Sequence, residues 1–257
     1  MTQQRSAILA RGVQKNFGAV TAAADIQLDI PAGQKVSLIG SNGAGKTTFV
    51  NMLTGYIQPD AGQILLDGDN IVGLSPRQIA RMGVARSFQI PQLYKELSVL
   101  DNMLVAIASQ QGVLSFWRPA KNPAAIEDAR TLLQRFDLAA HEDRLVGELP
   151  GGVRKLLDIA MALTRQPKVL LLDEPTSGVS ADEKFPMMDT VMRALDEQGV
   201  TVLFVEHDMD IVARYADRVV AFYSGRIIAD DTPDKALAMA DVKRYVTGDF
   251  REAEDHA

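Results

Sequence analysis

Residues 36–50 read V-S-L-I-G-S-N-G-A-G-K-T-T-F-V, and everything else in the chain is placed from this stretch. Val36 to Ile39 form an apolar run suited to a short buried strand, and Thr47 onward reads as the start of a helix. Between them Gly40, Gly43, Gly45, Lys46 and Thr47 fill the pattern G-x-x-x-x-G-K-[ST]. The pattern suits a polyphosphate. Successive backbone N–H groups turned inward can hold phosphate oxygens where glycine leaves the path clear of side chains. The helix that follows adds its positive N-terminal end. Lys46 is then expected to reach the β- and γ-phosphates and the Thr47 hydroxyl to ligate Mg²⁺, with Ser41, Asn42, Gly43, Ala44, Gly45 and Thr48 as the remaining loop contacts. A Gly-rich turn without a ligand is the plainer alternative, and the flanking strand and helix argue against it.

The whole-chain numbers set the frame for this loop. With 257 residues, 47% apolar and 23% charged, the chain has ample core for one large domain or two small ones. A net charge of −6 and a pI near 5.1 argue against a nucleic-acid partner, since such proteins carry a basic footprint. Cysteine is absent, which excludes disulfides and thiolate chemistry. The N-terminal M-T-Q-Q-R-S-A lacks a signal peptide's apolar core. No apolar run approaches the ~18 residues of a membrane helix. A membrane role must therefore come through another chain.

Ahead of the loop, Ala7–Val13 and Asp25–Ile30 read as strands, joined by K-N-F-G-A-V-T-A-A, and Pro31-Ala32-Gly33 is a turn. Phe17 stands alone in a polar stretch, where it either stacks on a purine or fills a core position. Behind the loop, P-D-A-G-Q-I-L-L-D-G is turn, strand and turn. Ser75, Pro76 and Gly83 punctuate a short helix as N-cap, first position and stop. Val84 to Phe88 is a further strand, and Gln89 falls where it ends.

From Val99 to about Arg165 the periodicity is helical, over Asp101–Ser109, Ala124–Phe136 and Val153–Thr164. Trp117 lies in a loop between the first two, as a partner anchor or tucked onto its own helices. Strand character returns at Val169–Leu172, ending in Asp173-Glu174. A helix over Ala181–Gln198 puts Met187, Met188, Val191 and Leu195 on one face, as core. Then come strand Thr201–Val205, Glu206-His207-Asp208, helix Met209–Tyr215, and strands Val219–Tyr223 and Ile227–Ala229 paired around Ser224-Gly225. A helical segment starts at Thr232-Pro233, and R-E-A-E-D-H-A is a charged tail.

An apolar strand that delivers an acid at its carboxyl end, in a chain with a phosphate loop, is the second half of a nucleotide triphosphatase site. Asp173 is placed to hold Mg²⁺ through water, and Glu174 to polarise a water attacking the γ-phosphate. His207, after a second apolar strand, is either functional or a capping residue on pattern alone. His141 and His256 lie in polar surroundings and are read as surface residues.

The set G-S-N-G-A-G-K-T-T, Gln89, L-P-G-G-V at 149–153, V-L-L-L-D-E-P-T-S and E-H-D, in this order, resembles the ATPase subunits of ABC transporters over nearly the whole chain. The resemblance implies that Phe17 stacks on adenine and that Gln89 senses Mg²⁺ and the γ-phosphate. It further implies that Glu174 is the general base, that His207 is a γ-phosphate switch, and that S-G-V-S-A-D at 177–182 is the dimer-facing loop. Within the family, A-R-M-G-V-A-R-S-F-Q-I-P-Q-L-Y-K-E-L-S-V-L-D-N at 80–102 looks like the branched-chain amino acid importer ATPases and their amide or urea relatives.

The expectation is an α/β P-loop nucleotide triphosphatase core, a mixed sheet flanked by helices, with an N-terminal antiparallel β element and a helical subdomain. Residues 1–88 and 166–232 form the core, 89–165 the helical subdomain, 233–250 a C-terminal helical segment and 251–257 the tail. The resemblance implies ATP and Mg²⁺ as cofactors, a second ATPase subunit and integral-membrane permease subunits as partners, and a periplasmic substrate-binding protein as an indirect one. It places the chain on the cytoplasmic side of the inner membrane. The family signature Leu-Ser-Gly-Gly-Gln departs here to Leu149-Pro150-Gly151-Gly152-Val153. Gly151 and Gly152 keep backbone N–H groups for a partner's nucleotide, whereas Pro150 has neither hydroxyl nor N–H. The alternatives are an exporter ATPase for lipid or lipopolysaccharide, or a non-transport ATPase of the same family. A P-loop kinase or GTPase lacks the Gly151-Gly152 element, and no N-K-x-D base reader is present.

Overall fold

The computed structural model describes residues 5–87, 92–109 and 122–248, in two compact units. One runs to Ile79 and resumes at Leu203; the other is Ala80–Val202. Gln89, Trp117 and His256 lie outside the described residues. Among the described residues no helix is long and apolar enough to cross a membrane.

In the first unit, β1 (Ser6–Phe17), β2 (Val20–Pro31), β4 (Ala61–Leu66) and β5 (Asp69–Asn70) form an antiparallel sheet in the order β2-β1-β4-β5. Both long strands extend beyond their expected ends, to a hairpin with Phe17 opposite Val20. The reason is local. Gly12 (φ 60°) and Asp25 (φ 58°) adopt left-handed backbone, and the pairing slips between Ala10 and Val13. Such a bulge breaks the inward–outward alternation from which a strand is read.

The same unit holds β3 (Lys35–Gly40), α1 (Lys46–Leu53), β9 (Arg218–Tyr223) and β10 (Arg226–Asp231). β3 runs parallel to β9, from Val36 opposite Arg218 to Gly40 opposite Phe222, and β9 and β10 are an antiparallel hairpin. Every residue of β3 from Val36 on is buried, as a central parallel strand demands. α1 lays Phe49 against Phe222, ring centroids 5.9 Å apart. Tyr223 stacks on Tyr245 of the C-terminal segment at 4.3 Å, beyond α8 (Pro233–Ala238).

In the second unit, β6 (Val84–Ser87) pairs in parallel with β7 (Val169–Asp173), Val84 opposite Val169 and Ser87 opposite Leu172. The unit also holds α3 (Val99–Ala108), α4 (Pro123–Arg135), α5 (Gly151–Leu163) and α6 (Ala181–Asp196), of which α5 packs on both strands. The starts of α3 and α4 follow from capping chemistry. The Ser98 hydroxyl accepts the Asp101 N–H at 3.0 Å, and the Asn122 side chain accepts that of Ala125 at 2.8 Å with Pro123 next to it. Met187, Met188, Val191 and Leu195 of α6 are all buried, so that face is core. Asn102, fully buried in α3, accepts the Tyr94 N–H at 2.9 Å and donates to the carbonyls of Tyr94 (3.0 Å) and Ser98 (2.9 Å). This one carboxamide fixes the turn before α3 while the Tyr94 ring stays exposed.

The central mixed sheet carries β8 (Thr201–Val205), wholly buried. The fold class is as expected, a P-loop core of mixed sheet and helices with an antiparallel β element.

Candidate nucleotide site

The loop between β3 and α1 needs its glycines for two different reasons. Gly40, Gly43 and Gly45 have φ of 151°, 79° and 112°, a region that side chains disfavour. A Cβ on Gly40 would run into the carbonyl oxygen of Phe222, and one on Gly45 into that of Ala22, whereas Gly43 has nothing within 4 Å. Gly43 is required by conformation alone, the other two also by close backbone approach. That approach comes from two neighbours. The Gly225 N–H donates to the Ala44 carbonyl at 2.9 Å, and the Ala24 N–H to the Gly225 carbonyl at 2.8 Å. The β9–β10 turn, with Ser224 at φ 47° and Gly225 at φ 74°, therefore clamps the loop against β2. Sequence reading finds this turn as a hairpin but misses its part in the site, because no local signal links it to a loop so far along the chain.

Within the loop, Lys46 is only 5% exposed, and its ammonium donates to the carbonyls of Gly40 (2.6 Å) and Ser41 (3.1 Å). The cation is thus held inside the loop by the loop's own oxygens. α1 starts at Gly45 with no side-chain cap and no acid in its first turn. Its leading N–H groups and positive end are what an anion requires. Ser41, Asn42, Gly43 and Thr47 are exposed and Thr48 half-buried, while Ala44 and Gly45 are buried.

Phe17 is 49% exposed at the tip of the β1–β2 hairpin, which removes the core alternative. Lys15 Nζ lies 5.4 Å from the ring centroid and donates to Asp60 at 2.7 Å, and the Asn16 N–H donates to the same carboxylate at 2.7 Å. The hydrogen bond from Lys15, then that from Asn16, holds the Asp60 carboxyl below the usual carboxylate range. Asp60 thereby ties down the strand end that carries the ring. Phe17→Ala should weaken ATP binding by about 1–3 kcal/mol if the ring stacks on the base. Unchanged affinity in a calorimetric titration would end that assignment. His207, also in the first unit, is exposed directly after β8; its N–H donates to the carboxylate of buried Glu206 at 3.1 Å. Asp208 caps α7 (Met209–Tyr215) by accepting the Asp210 N–H at 3.1 Å.

In the second unit, Asp173 ends β7 and its Oδ2 accepts a hydrogen bond from Arg86 Nη2 at 2.6 Å. Glu174 follows in left-handed backbone, φ 47°, immediately before Pro175. Strand alternation therefore stops at Asp173. A non-glycine residue held there stores on the order of 1–3 kcal/mol, a cost that clusters at functional positions. Among the described residues no group of three or more His, Cys, Asp or Glu could cage a metal.

Gly151 and Gly152 open α5, with exposed Pro150 as a cap that offers no side-chain hydrogen bond. A Cβ on Gly151 would stand 3.6 Å from the Gly178 carbonyl oxygen, and one on Gly152 3.8 Å from Val179 Cγ1. The turn at 149–153 and the loop at 177–180, read separately in the sequence, thus share one face of this unit.

A family model described as ABC transporter matches residues 23–177. The chain is 36% identical over 245 residues to the high-affinity branched-chain amino acid transport ATP-binding protein LivG of Escherichia coli K12, covering 93% of this chain and 96% of that one. The corresponding protein BraF of Pseudomonas aeruginosa gives the same figures. Among solved structures, the ADP conformation of an ATP-binding cassette of an ABC transporter superposes with a TM-score of 0.79 at 30% identity, over 90% of this chain and 93% of that one.

Proposed function

The chain belongs to the ABC transporter family as an ATP-binding cassette ATPase, and on that premise we propose that it energises an importer for branched-chain amino acids or closely related amino acids and amides. The observation that carries the reading is the clamped phosphate loop with its buried lysine, in a chain that matches LivG and BraF over 93% of its length. The acidic chain without a membrane-crossing helix among its described residues fits a peripheral ATPase. It would dimerise around two ATP and act through separate permease subunits on the cytoplasmic side of the inner membrane.

In this reading the loop from Ser41 to Thr48 binds the triphosphate through backbone N–H groups, and Lys46 exchanges its bonds to Gly40 and Ser41 for phosphate oxygens. Phe17 stacks on adenine. Glu174 takes the proton of a water whose oxygen bonds to the γ-phosphorus as the bond to the β-phosphate oxygen breaks. Gln89 and His207 report the γ-phosphate. The Thr47 hydroxyl, directly, and the Asp173 carboxylate, through water, would hold Mg²⁺, and such a sparse set of hard oxygens suits an ion that keeps several waters. The ion, when bound, would supply positive charge against that of the phosphates. The stretch 89–102 passes movement at the γ-phosphate to the permease, with Tyr94 and Leu97 as the larger contacts. Gly151 and Gly152 complete the nucleotide site of the second subunit, without the hydroxyl that Pro150 lacks.

Purification of the tagged chain from its native membrane tests the assignment. Two permease chains should accompany it, and vesicles holding the complex and ATP should concentrate leucine or a related amino acid in the presence of the binding protein. Recovery with an exporter's permease, or without any membrane chain, would overturn it.

A further inference from the structure

Arg86 and Asp173 lie at the ends of neighbouring parallel strands, and their side chains meet at 2.6 Å, only 11% and 15% exposed. We propose that Arg86 is a resident counter-ion of Asp173 that competes with the divalent metal, so that metal binding must displace it. The inference rests on the reading of Asp173 as a metal-holding residue.

The physical case has three parts. A carboxylate largely withdrawn from water needs a cation or hydrogen-bond donors. The metal supplies this when nucleotide is bound, and the guanidinium supplies it here. Second, the guanidinium and a dication bind the same carboxylate but repel each other at short range in a poorly screened site. Each therefore weakens the other, and displacement costs the metal a charge-assisted hydrogen bond. Third, the strand end carrying Arg86 is anchored independently. The next residue, Ser87, donates its hydroxyl to buried Asp158 of α5 at 2.7 Å, and the Gln92 N–H reaches the other oxygen of that carboxylate at 3.3 Å. Side-chain rotation of Arg86 alone can then release Asp173 while its backbone stays in place.

Mn²⁺ binding followed by electron paramagnetic resonance, with the full chain and a non-hydrolysable ATP analogue, reads this directly. Arg86→Met should lower the half-saturating Mn²⁺ about tenfold, and in an Asp173→Asn background the same substitution should change it less than about twofold. Unchanged or weaker Mn²⁺ binding in Arg86→Met, with Asp173→Asn still impaired, overturns the competition and leaves the metal assignment standing. Normal Mn²⁺ binding in Asp173→Asn removes the metal assignment itself. If Arg86→Met does not fold, the unsubstituted chain still decides. Labelled with ¹⁵N-arginine and assigned against Arg86→Lys, its Arg86 side-chain signal should lose protection from exchange on adding Mg²⁺ with the analogue, and not with the analogue alone. A signal indifferent to Mg²⁺ overturns the proposal.

Discussion

Glu174→Gln should bind ATP about as well as the parent chain while its turnover falls by a hundredfold or more. The amide keeps the volume and the reach of the carboxylate but cannot accept the proton of the attacking water, and a general base typically contributes about 10²–10⁴-fold. Because the proposed dimer forms around two ATP and hydrolysis removes them, the variant should accumulate as an ATP-bound dimer. Light scattering with and without ATP detects this independently of turnover. The left-handed backbone at Glu174 (φ 47°) sharpens the expectation. Glutamine pays a similar conformational cost there, so the folded state should lose little stability and lost turnover can be assigned to chemistry. Turnover within about threefold of the parent would take Glu174 out of the role.

The second large effect separates two glycines of one motif. In Gly45→Ala the new methyl would meet the Ala22 carbonyl oxygen, with Gly225 Cα 3.3 Å away, at a φ of 112°. Neither neighbour can yield cheaply, since both are backbone in the strand and turn that clamp the loop. High-affinity ATP binding should be lost, and stability should fall by about 3 kcal/mol or more, as for other combinations of clash and backbone strain. Gly43→Ala meets nothing within 4 Å and incurs only its left-handed conformation, about 1–2 kcal/mol. Urea unfolding of the two variants, with ATP titrations beside it, checks the contrast. Equal losses in both would show that conformation alone, and not contact with Ala22, sets the requirement at Gly45.

The stretch at 36–50 was legible because its information is local: a buried run, three glycines in fixed order, a lysine and a helix start lie within fifteen residues. The same holds for β7, which runs one residue further to include its acid, and for β8 and α7, whose expected bounds match the structure residue for residue. The helices of the second unit fall within about two residues of their periodicity, and capping residues mark the starts of α3 and α4. The first two strands extend well beyond the Ala7–Val13 and Asp25–Ile30 that alternation marks, because Gly12 and Asp25 break it.

What the sequence determined by itself, then, is the phosphate loop, the acidic strand end and the order of elements, each written in neighbouring residues. Only the tertiary structure decided that Phe17 stands exposed, that Gly225 and Ala22 clamp the loop, and that Arg86 occupies Asp173. These depend on which backbone passes close to which. Periodicity and propensity report a residue's own preference for helix, strand or turn, whereas a carbonyl within reach of a glycine, or a guanidinium beside a carboxylate, is set by strand order and register across the sheet.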